Sequence, residues 1–126
     1  MAKRVLDVGN CVPDHAAIRG LLESSFGAEV VQAHGPGDAL RLLKAQPFDL
    51  VLVNRKLDQD YSDGLPIIKS IKADAKLVSV PCMLITNHAD HQQEAVAAGA
   101  EFGFGKKELQ SRETHAKLAR FLNPGA

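Results

Sequence analysis

Five short runs of apolar residues alternate along this chain with segments whose apolar residues repeat at helical spacing. The apolar runs occupy residues 5–8, 29–33, 48–53, 81–86 and 101–105. Runs that are apolar nearly throughout are typical of strands buried on both faces, as in parallel sheets. Parallel neighbours need crossover connections, which are helical and right-handed. The alternation therefore predicts a three-layer α/β fold, in which helices cover both faces of a doubly wound, five-stranded parallel sheet.

The segments between the runs carry the helical signals. The first begins near Pro13, has apolar residues on one helix face, and ends at Gly27, which suits a helix terminus. The second helix is expected to begin after a loop at residues 34–38. The later helices are expected at residues 65–71, 90–98 and 108–122. This alternation alone leaves the strand order open among several doubly wound arrangements.

Composition excludes several classes of protein. The chain has 126 residues, with 15 Lys and Arg against 15 Asp and Glu, so the formal net charge is zero. A chain without net charge has no overall positive potential that would attract nucleic acid or an anionic membrane, and we expect neither as a partner. No run reaches the ~20 apolar residues of a membrane-spanning helix. Two cysteines are too few for a disulfide framework. We expect one cytoplasmic domain over residues 1–126, with its core at about residues 3–122.

Any functional pocket should lie at one edge of the sheet. In an open parallel sheet, ligands bind beyond the carboxyl ends of the strands, where the strand order reverses. The residues at those ends are mostly polar. They are Gly9, Asn10 and Cys11 after the first run, Asn54, Arg55 and Lys56 after the third, Thr86 and Asn87 after the fourth, and Lys106 and Lys107 after the fifth.

Nearly the whole chain resembles the receiver domain of two-component response regulators. The matching pieces are RVLDVGN at residues 4–10, DALRLLK at 38–44, FDLVLVN at 48–54, PCMLIT at 81–86 and AGAEFGFGK at 98–106. Each piece alone is weak, and their order and spacing together are specific. The resemblance implies the flavodoxin-like strand order 2-1-3-4-5. It also implies a cytoplasmic signalling function.

The resemblance also implies a phosphorylation site, and here the chain departs from the family. Receivers are phosphorylated on an Asp ending the third strand, with Mg²⁺ held by an acidic pair after the first. Here the acceptor position holds Asn54, and the pair falls on Gly9 and Asn10. A rival register, which needs an insertion, would make Asp7 one of the acids. The family's Thr and Lys positions hold Thr86 and Lys106.

These replacements remove the chemistry of phosphotransfer. An amide does not ionise near neutral pH and cannot form an acyl phosphate. Mg²⁺ takes oxygen ligands and is usually held by carboxylates, whereas Asn10, Asn54 and the carbonyl of Lys56 are neutral. We therefore expect no metal, no cofactor and no aspartyl phosphorylation at residue 54. The pattern resembles the pseudo-receivers, which keep the fold without the phosphotransfer.

The switch of the family is altered as well. The position of its inward-turning aromatic holds Gly103, the residue after the Lys is Lys107 instead of Pro, and the loop at residues 54–64 is longer than usual. Family members often bind partners through the fourth helix, fifth strand and fifth helix. The corresponding surface is expected to contain Ala95, Phe102, Gly103, Phe104, Lys107 and Glu108.

We expect a phosphorylation-independent interaction module whose partner is a protein: a kinase, a regulator or a second copy. The alternative is a sensor that binds a small anion or a nucleotide non-covalently with Thr86, Lys106 and Lys107. An enzyme is not expected, since no general base paired with a nucleophile is evident. Two short patterns are read as solvated groups instead of metal sites. They are His88 with His91, and Asp58 with Asp60 and Asp63.

Overall fold

The five apolar runs form one parallel sheet. The computed structural model describes residues 2–123, so Met1 and residues 124–126 of the expected domain lie outside the described part. The strands are β1 Arg4–Val8, β2 Glu29–Ala33, β3 Leu50–Asn54, β4 Cys82–Ile85 and β5 Glu101–Phe104. Their order is β2-β1-β3-β4-β5, with every neighbouring pair parallel. The predicted three-layer architecture and the strand order implied by the resemblance are confirmed.

Five α-helices cover the two faces of the sheet. They are α1 Val12–Phe26, α2 Pro36–Ala45, α3 Leu65–Ala73, α4 Ala89–Ala97 and α5 Arg112–Leu122, with a 3₁₀ turn at Lys106–Glu108 before α5. Within residues 2–123, no helix combines the length and the apolar character needed to cross a membrane.

Two helix starts differ from the sequence-based expectation. α2 begins at Pro36 instead of after residue 38, because a proline is tolerated in the first turn, where its missing N–H has no partner to lose. α5 begins at Arg112 instead of residue 108. Ser111 sets this start, since its side chain accepts the Thr114 N–H at 3.1 Å as an N-cap.

The alternation of side chains along each strand divides the core into two layers. Leu6 and Val8 of β1 face one layer, which α2, α3 and α4 complete with Leu43, Ile68 and Ala95. Val5 faces the other layer, which α1 and α5 complete. Because β1, β3, β4 and β5 are parallel neighbours, their carboxyl ends lie side by side at one edge of the sheet.

Candidate functional site

A cavity of about 300 Å³ opens at the carboxyl ends of β3, β4 and β5. Its lining combines amide, hydroxyl, imidazole and cationic side chains. The lining residues are Asn54, Arg55, Lys56, Ile85, Thr86, Asn87, His88, His91 and Lys106. Four of the six residues predicted for the pocket are among them: Asn54, Lys56, Thr86 and Lys106. Gly9 and Asn10, the other two, lie beside the cavity and do not line it.

The amide of Asn54 is held by two carbonyl groups. Its Nδ2 donates to the carbonyl oxygen of Gly9 at 3.2 Å and to that of Lys56 at 2.6 Å. Both partners are acceptors, so the NH₂ side of the amide must face them. A cation that used these carbonyls as ligands would first have to displace the Asn54 amide. The Asn54 side chain thus connects the end of β3 to the carbonyl of Gly9, just after β1, by donating a hydrogen bond.

Gly9 follows β1 in a conformation that few other residues adopt. Its φ is +79°, and a Cβ atom here would overlap the Leu57 side chain and lie 3.2 Å from the Leu57 Cα. Asn10, the next residue, is completely buried. Its Nδ2 donates to Oδ1 of Asp7 at 2.5 Å, and its Oδ1 has no hydrogen-bond partner within residues 2–123.

Asp7 is a fully buried carboxyl group in the middle of β1. It pairs with Leu52 of β3 in the sheet, two residues before the end of β3 at Asn54. Nδ1 of His15, on α1, lies 2.6 Å from its Oδ2. Burial raises the pKa of Asp7, and the hydrogen bonds from His15 and Asn10 only partly oppose that rise.

A second carboxylate approaches from α1. Oδ2 of Asp14 lies 2.7 Å from Nζ of Lys106 and accepts a hydrogen bond from the Cys11 thiol at 3.2 Å. The Lys106 ammonium holds the pKa of Asp14 below its ordinary value. Lys106 therefore has a counter-ion that sequence reasoning missed. Beside Gly9, Asn10 and Asn54, which carry no charge, lie two carboxylates, Asp7 and Asp14, and each is paired with a basic side chain.

The hydroxyl of Thr86 links β4 to the start of α4. Its Oγ1 accepts the His88 N–H at 3.3 Å and lies 3.1 Å from Nδ1 of His91. The His88 and His91 rings meet edge to face, with centroids 5.1 Å apart. The fold thus brings the Thr86 hydroxyl and the His91 imidazole together, a contact that the sequence analysis did not identify. Within residues 2–123, no acidic side chain bonds His91, and no three His, Cys, Asp or Glu side chains cluster at a metal-binding distance.

Comparison with known proteins identifies the family. The family model of the response regulator receiver domain matches residues 11–119. This chain belongs to that family. It is a receiver domain of two-component signalling.

Solved structures share the fold at low sequence identity. NtrX from Brucella abortus superimposes with a TM-score of 0.80 at 24% identity, and the match covers 97% of this chain and 27% of that one. The chemotaxis protein CheY4 of Vibrio cholerae gives 0.76 at 19%, covering 97% and 99%. The receiver domain of the histidine kinase PA1611 from Pseudomonas aeruginosa gives 0.72 at 22%, covering 97% and 98%. That last receiver was crystallised with a magnesium ion in its active-site cleft.

The acidic loop of this receiver does not gather its carboxylates. Asp58 pairs with Nδ1 of His34 at 3.0 Å, and Asp63 lies 3.5 Å from Nη1 of Arg55. Asp60 accepts the N–H and hydroxyl of Ser62. The three aspartates thus have three separate partners.

Only part of the predicted partner surface of this receiver is exposed. Phe102 is 51% exposed, and Lys107 and Glu108 are exposed beside it. Lys117 on α5 holds its ammonium 5.0 Å from the centre of the Phe102 ring. The prediction is wrong for Ala95, which faces the core from α4, and for Phe104, which packs under α5; both are buried, as is Gly103. The irregular pairing of β4 and β5 falls between Glu101 and Phe104, so Phe104 does not follow Phe102 to the exposed face.

Proposed function

We propose that this receiver domain works without aspartyl phosphorylation and without Mg²⁺, as a module that binds a protein partner. The observation that carries the proposal is the Asn54 amide, which donates to the carbonyls of Gly9 and Lys56. Aspartyl phosphorylation needs a carboxylate oxygen as its nucleophile, and this amide offers its N–H groups to the neighbouring carbonyls instead.

The neighbouring charges support the same function. Asp7 is completely buried and bound by His15 and Asn10. Asp14 is bound by Lys106 and does not line the cavity. Mg²⁺ needs octahedral oxygen ligands and usually takes one or two carboxylates. Neither carboxylate is available to it unless an existing pair is broken. We propose that the domain is not an enzyme and that its regulation comes from its partner.

The test of phosphorylation independence is intact-protein mass spectrometry after incubation with Mg²⁺ and acetyl phosphate. We expect no phosphate adduct on the native chain. An adduct that disappears in Asn54→Ala, Asp14→Asn or Asp7→Asn would refute the proposal and identify the residue modified. The PA1611 receiver domain, which holds Mg²⁺ in its cleft, is a suitable positive control.

The partner is a kinase, a regulator or a second copy of this chain, and it binds the exposed part of the α4–β5–α5 face. Phe102, Lys107 and Glu108 form that part, hereafter the Phe102 face. A pull-down from the native host, read by mass spectrometry, identifies the candidates. Phe102→Ser should abolish capture. The control is Val78→Ser, which removes an apolar side chain of similar exposure, 47%, from the segment between α3 and β4. This variant should still capture the partner. Equal capture by both variants would refute this assignment of the face.

A second candidate function is non-covalent binding of a small anion or nucleotide, and the lining of the cavity favours it. Arg55, Lys56 and Lys106 are cationic there, whereas the lining contains no carboxylate. Thermal shift with inorganic phosphate and nucleotides tests this candidate, because a ligand that binds only the folded state raises Tm. A Tm that stays unchanged at high excess of every ligand would argue against it.

A further inference from the structure

One buried amide connects β4, α4 and β5. Gln92 of α4 is 4% exposed, although a glutamine is usually found at the surface. Its Nε2 donates to the carbonyl oxygens of Leu84 at 2.9 Å and of Thr86 at 3.3 Å. Its Oε1 accepts the Gly103 N–H at 2.8 Å. Both amide hydrogens and the carbonyl oxygen are used, so three backbone groups of two strands depend on this side chain.

The reason that β4 and β5 need this amide lies in their pairing. Met83 pairs with Glu101 and Ile85 with Phe104, so β5 has one residue more than β4 between these two pairs. Such a bulge interrupts the hydrogen-bonded ladder and leaves backbone groups unpaired. The Gln92 amide is inserted at the interruption. Unpaired buried backbone groups are strongly unfavourable, and Gln92 bonds three backbone groups beside the bulge.

Gly103 is matched to this arrangement. A Cβ atom at residue 103 would collide with the carbonyl oxygen of Leu84 and lie 3.1 Å from Oε1 of Gln92. A larger side chain therefore cannot occupy the position while Gln92 keeps its bonds. Residue 103 is also where the family resemblance places the inward-turning aromatic of the switch. In this chain the Gln92 amide bridges the backbones of β4 and β5 there, and a side chain at residue 103 would meet the Leu84 carbonyl.

We propose that Gln92, with the backbone groups of Leu84, Thr86 and Gly103, is a clamp that fixes β4, α4 and β5 in one arrangement. The clamp lies between Thr86 in the cavity and Phe102, the residue before Gly103. It keeps the Phe102 face in the same form whatever occupies the cavity. The proposal rests on the phosphorylation-independent function above and supplies a structural reason for it: the face is presented constitutively to its partner.

Backbone NMR tests the clamp. In the native protein we expect flat relaxation-dispersion profiles at Thr86, Gly103 and Phe104, and slow hydrogen exchange at the Gly103 amide. In Gln92→Ala, exchange at Gly103 should accelerate by about 100-fold or more, and millisecond dispersion should appear in β4 and β5 only. The matched control is Gln93→Ala, which removes the exposed neighbouring glutamine and should leave Gly103 as in the native protein.

Two results would overturn the clamp. One is millisecond exchange between two conformations of β4 and β5 in the native protein, a measurement that requires no variant to fold. The other is a Gln92→Ala variant whose free energy of unfolding is lower but whose hydrogen exchange at the Gly103 amide is the same as in the native protein. Gln92→Glu, which keeps the acceptor and loses both donors, repeats the test if the alanine variant does not fold. These results are distinct from a phosphate adduct in the mass spectrum, which refutes the proposed function and not the clamp.

Discussion

The ammonium group of Lys106 lies 2.7 Å from the carboxylate of Asp14, a residue of the first helix, 92 positions away in the chain. In the receiver family, the Lys at this position accompanies acidic residues at the ends of the first and third strands. The family resemblance aligns Gly9, Asn10 and Asn54 with those positions. In this chain the anionic partner of the lysine lies on another element, the first helix.

This ion pair predicts a coupling that depends on pH and salt. In a double-mutant cycle, Asp14→Asn and Lys106→Met should couple by about 0.2–1 kcal/mol at neutral pH, because both side chains are more than one-third exposed and screened. The folded-state pKa of Asp14 is lowered, so its contribution is present above the unfolded-state value of 3.8 and is lost as the pH falls through the folded-state pKa. Denaturant unfolding measures it. Glu23→Gln with Lys106→Met is the control pair and should not couple.

Asp7→Asn should leave the stability unchanged or raise it at pH 7. Burial raises the pKa of Asp7, so the folded state binds its proton more tightly than the unfolded state does. Stability from this group is complete below pH 3.8, the unfolded-state pKa, and falls as the pH rises through the folded-state pKa. An asparagine is the same size, can still bond Asn10 and His15, and carries no charge. The Tm difference between variant and native protein should therefore grow from pH 4 to pH 7. A variant destabilised most at pH 7 would show that the charged pair with His15 stabilises the fold.

Asn54→Asp should destabilise the protein, and it should not create a tight Mg²⁺ site. A carboxylate at residue 54 cannot donate to the carbonyls of Gly9 and Lys56, and the loss should be about 1–3 kcal/mol at neutral pH. Calorimetric titration with Mg²⁺ should show weak binding at most, since Gly9 and Asn10 supply no charge.

Asn87→Asp adds the same charge to the cavity while keeping the side-chain oxygen that accepts the Lys107 N–H, and it should be the milder change. Tight Mg²⁺ binding or full phosphorylation of Asn54→Asp would show that the acidic pair lies elsewhere in the chain.

Gly103→Ala should lower the free energy of unfolding by about 1–3 kcal/mol, because the added methyl group has no room beside Leu84 and Gln92. Gly20→Ala is the opposite case. Gly20 lies within α1 with nothing inside 4 Å of an added Cβ, so alanine there should stabilise by about 0.5–1 kcal/mol. Urea unfolding of the two variants compares them directly. Equal effects at both positions would contradict the close approach of β4 and β5.

The features that sequence reasoning predicted are those set by local patterns. The apolar runs and helical spacings gave the layers, and the resemblance gave the strand order. The start of α2 was misplaced because Pro36 and Gly37 read equally well as a loop or as a first helical turn. Exposure of single residues was also misjudged. Ala95 and Phe104 lie on elements that are partly exposed, and only the packing decides which side each faces.

The pairs that define the pocket could not be predicted in this way. Asp14 meets Lys106 only because α1 and the end of β5 are neighbours in the fold. Asp7 did carry a signal, since a carboxylate in the middle of an apolar strand needs a partner. His15, in the first helix, is near enough to be that partner. Gln92 could not be predicted, because no local sequence pattern distinguishes a buried glutamine from an exposed one on a polar helix.

The glycine after β1 has a consequence for the redesign of this chain. At Gly9 the backbone has a positive φ and the Leu57 side chain fills the space that a Cβ would need. An aspartate therefore cannot be introduced at residue 9 by one substitution without remodelling the loop that contains Leu57. Anyone who redesigns this pocket to hold a cation would have to rebuild the end of β1 and the Leu57 loop together.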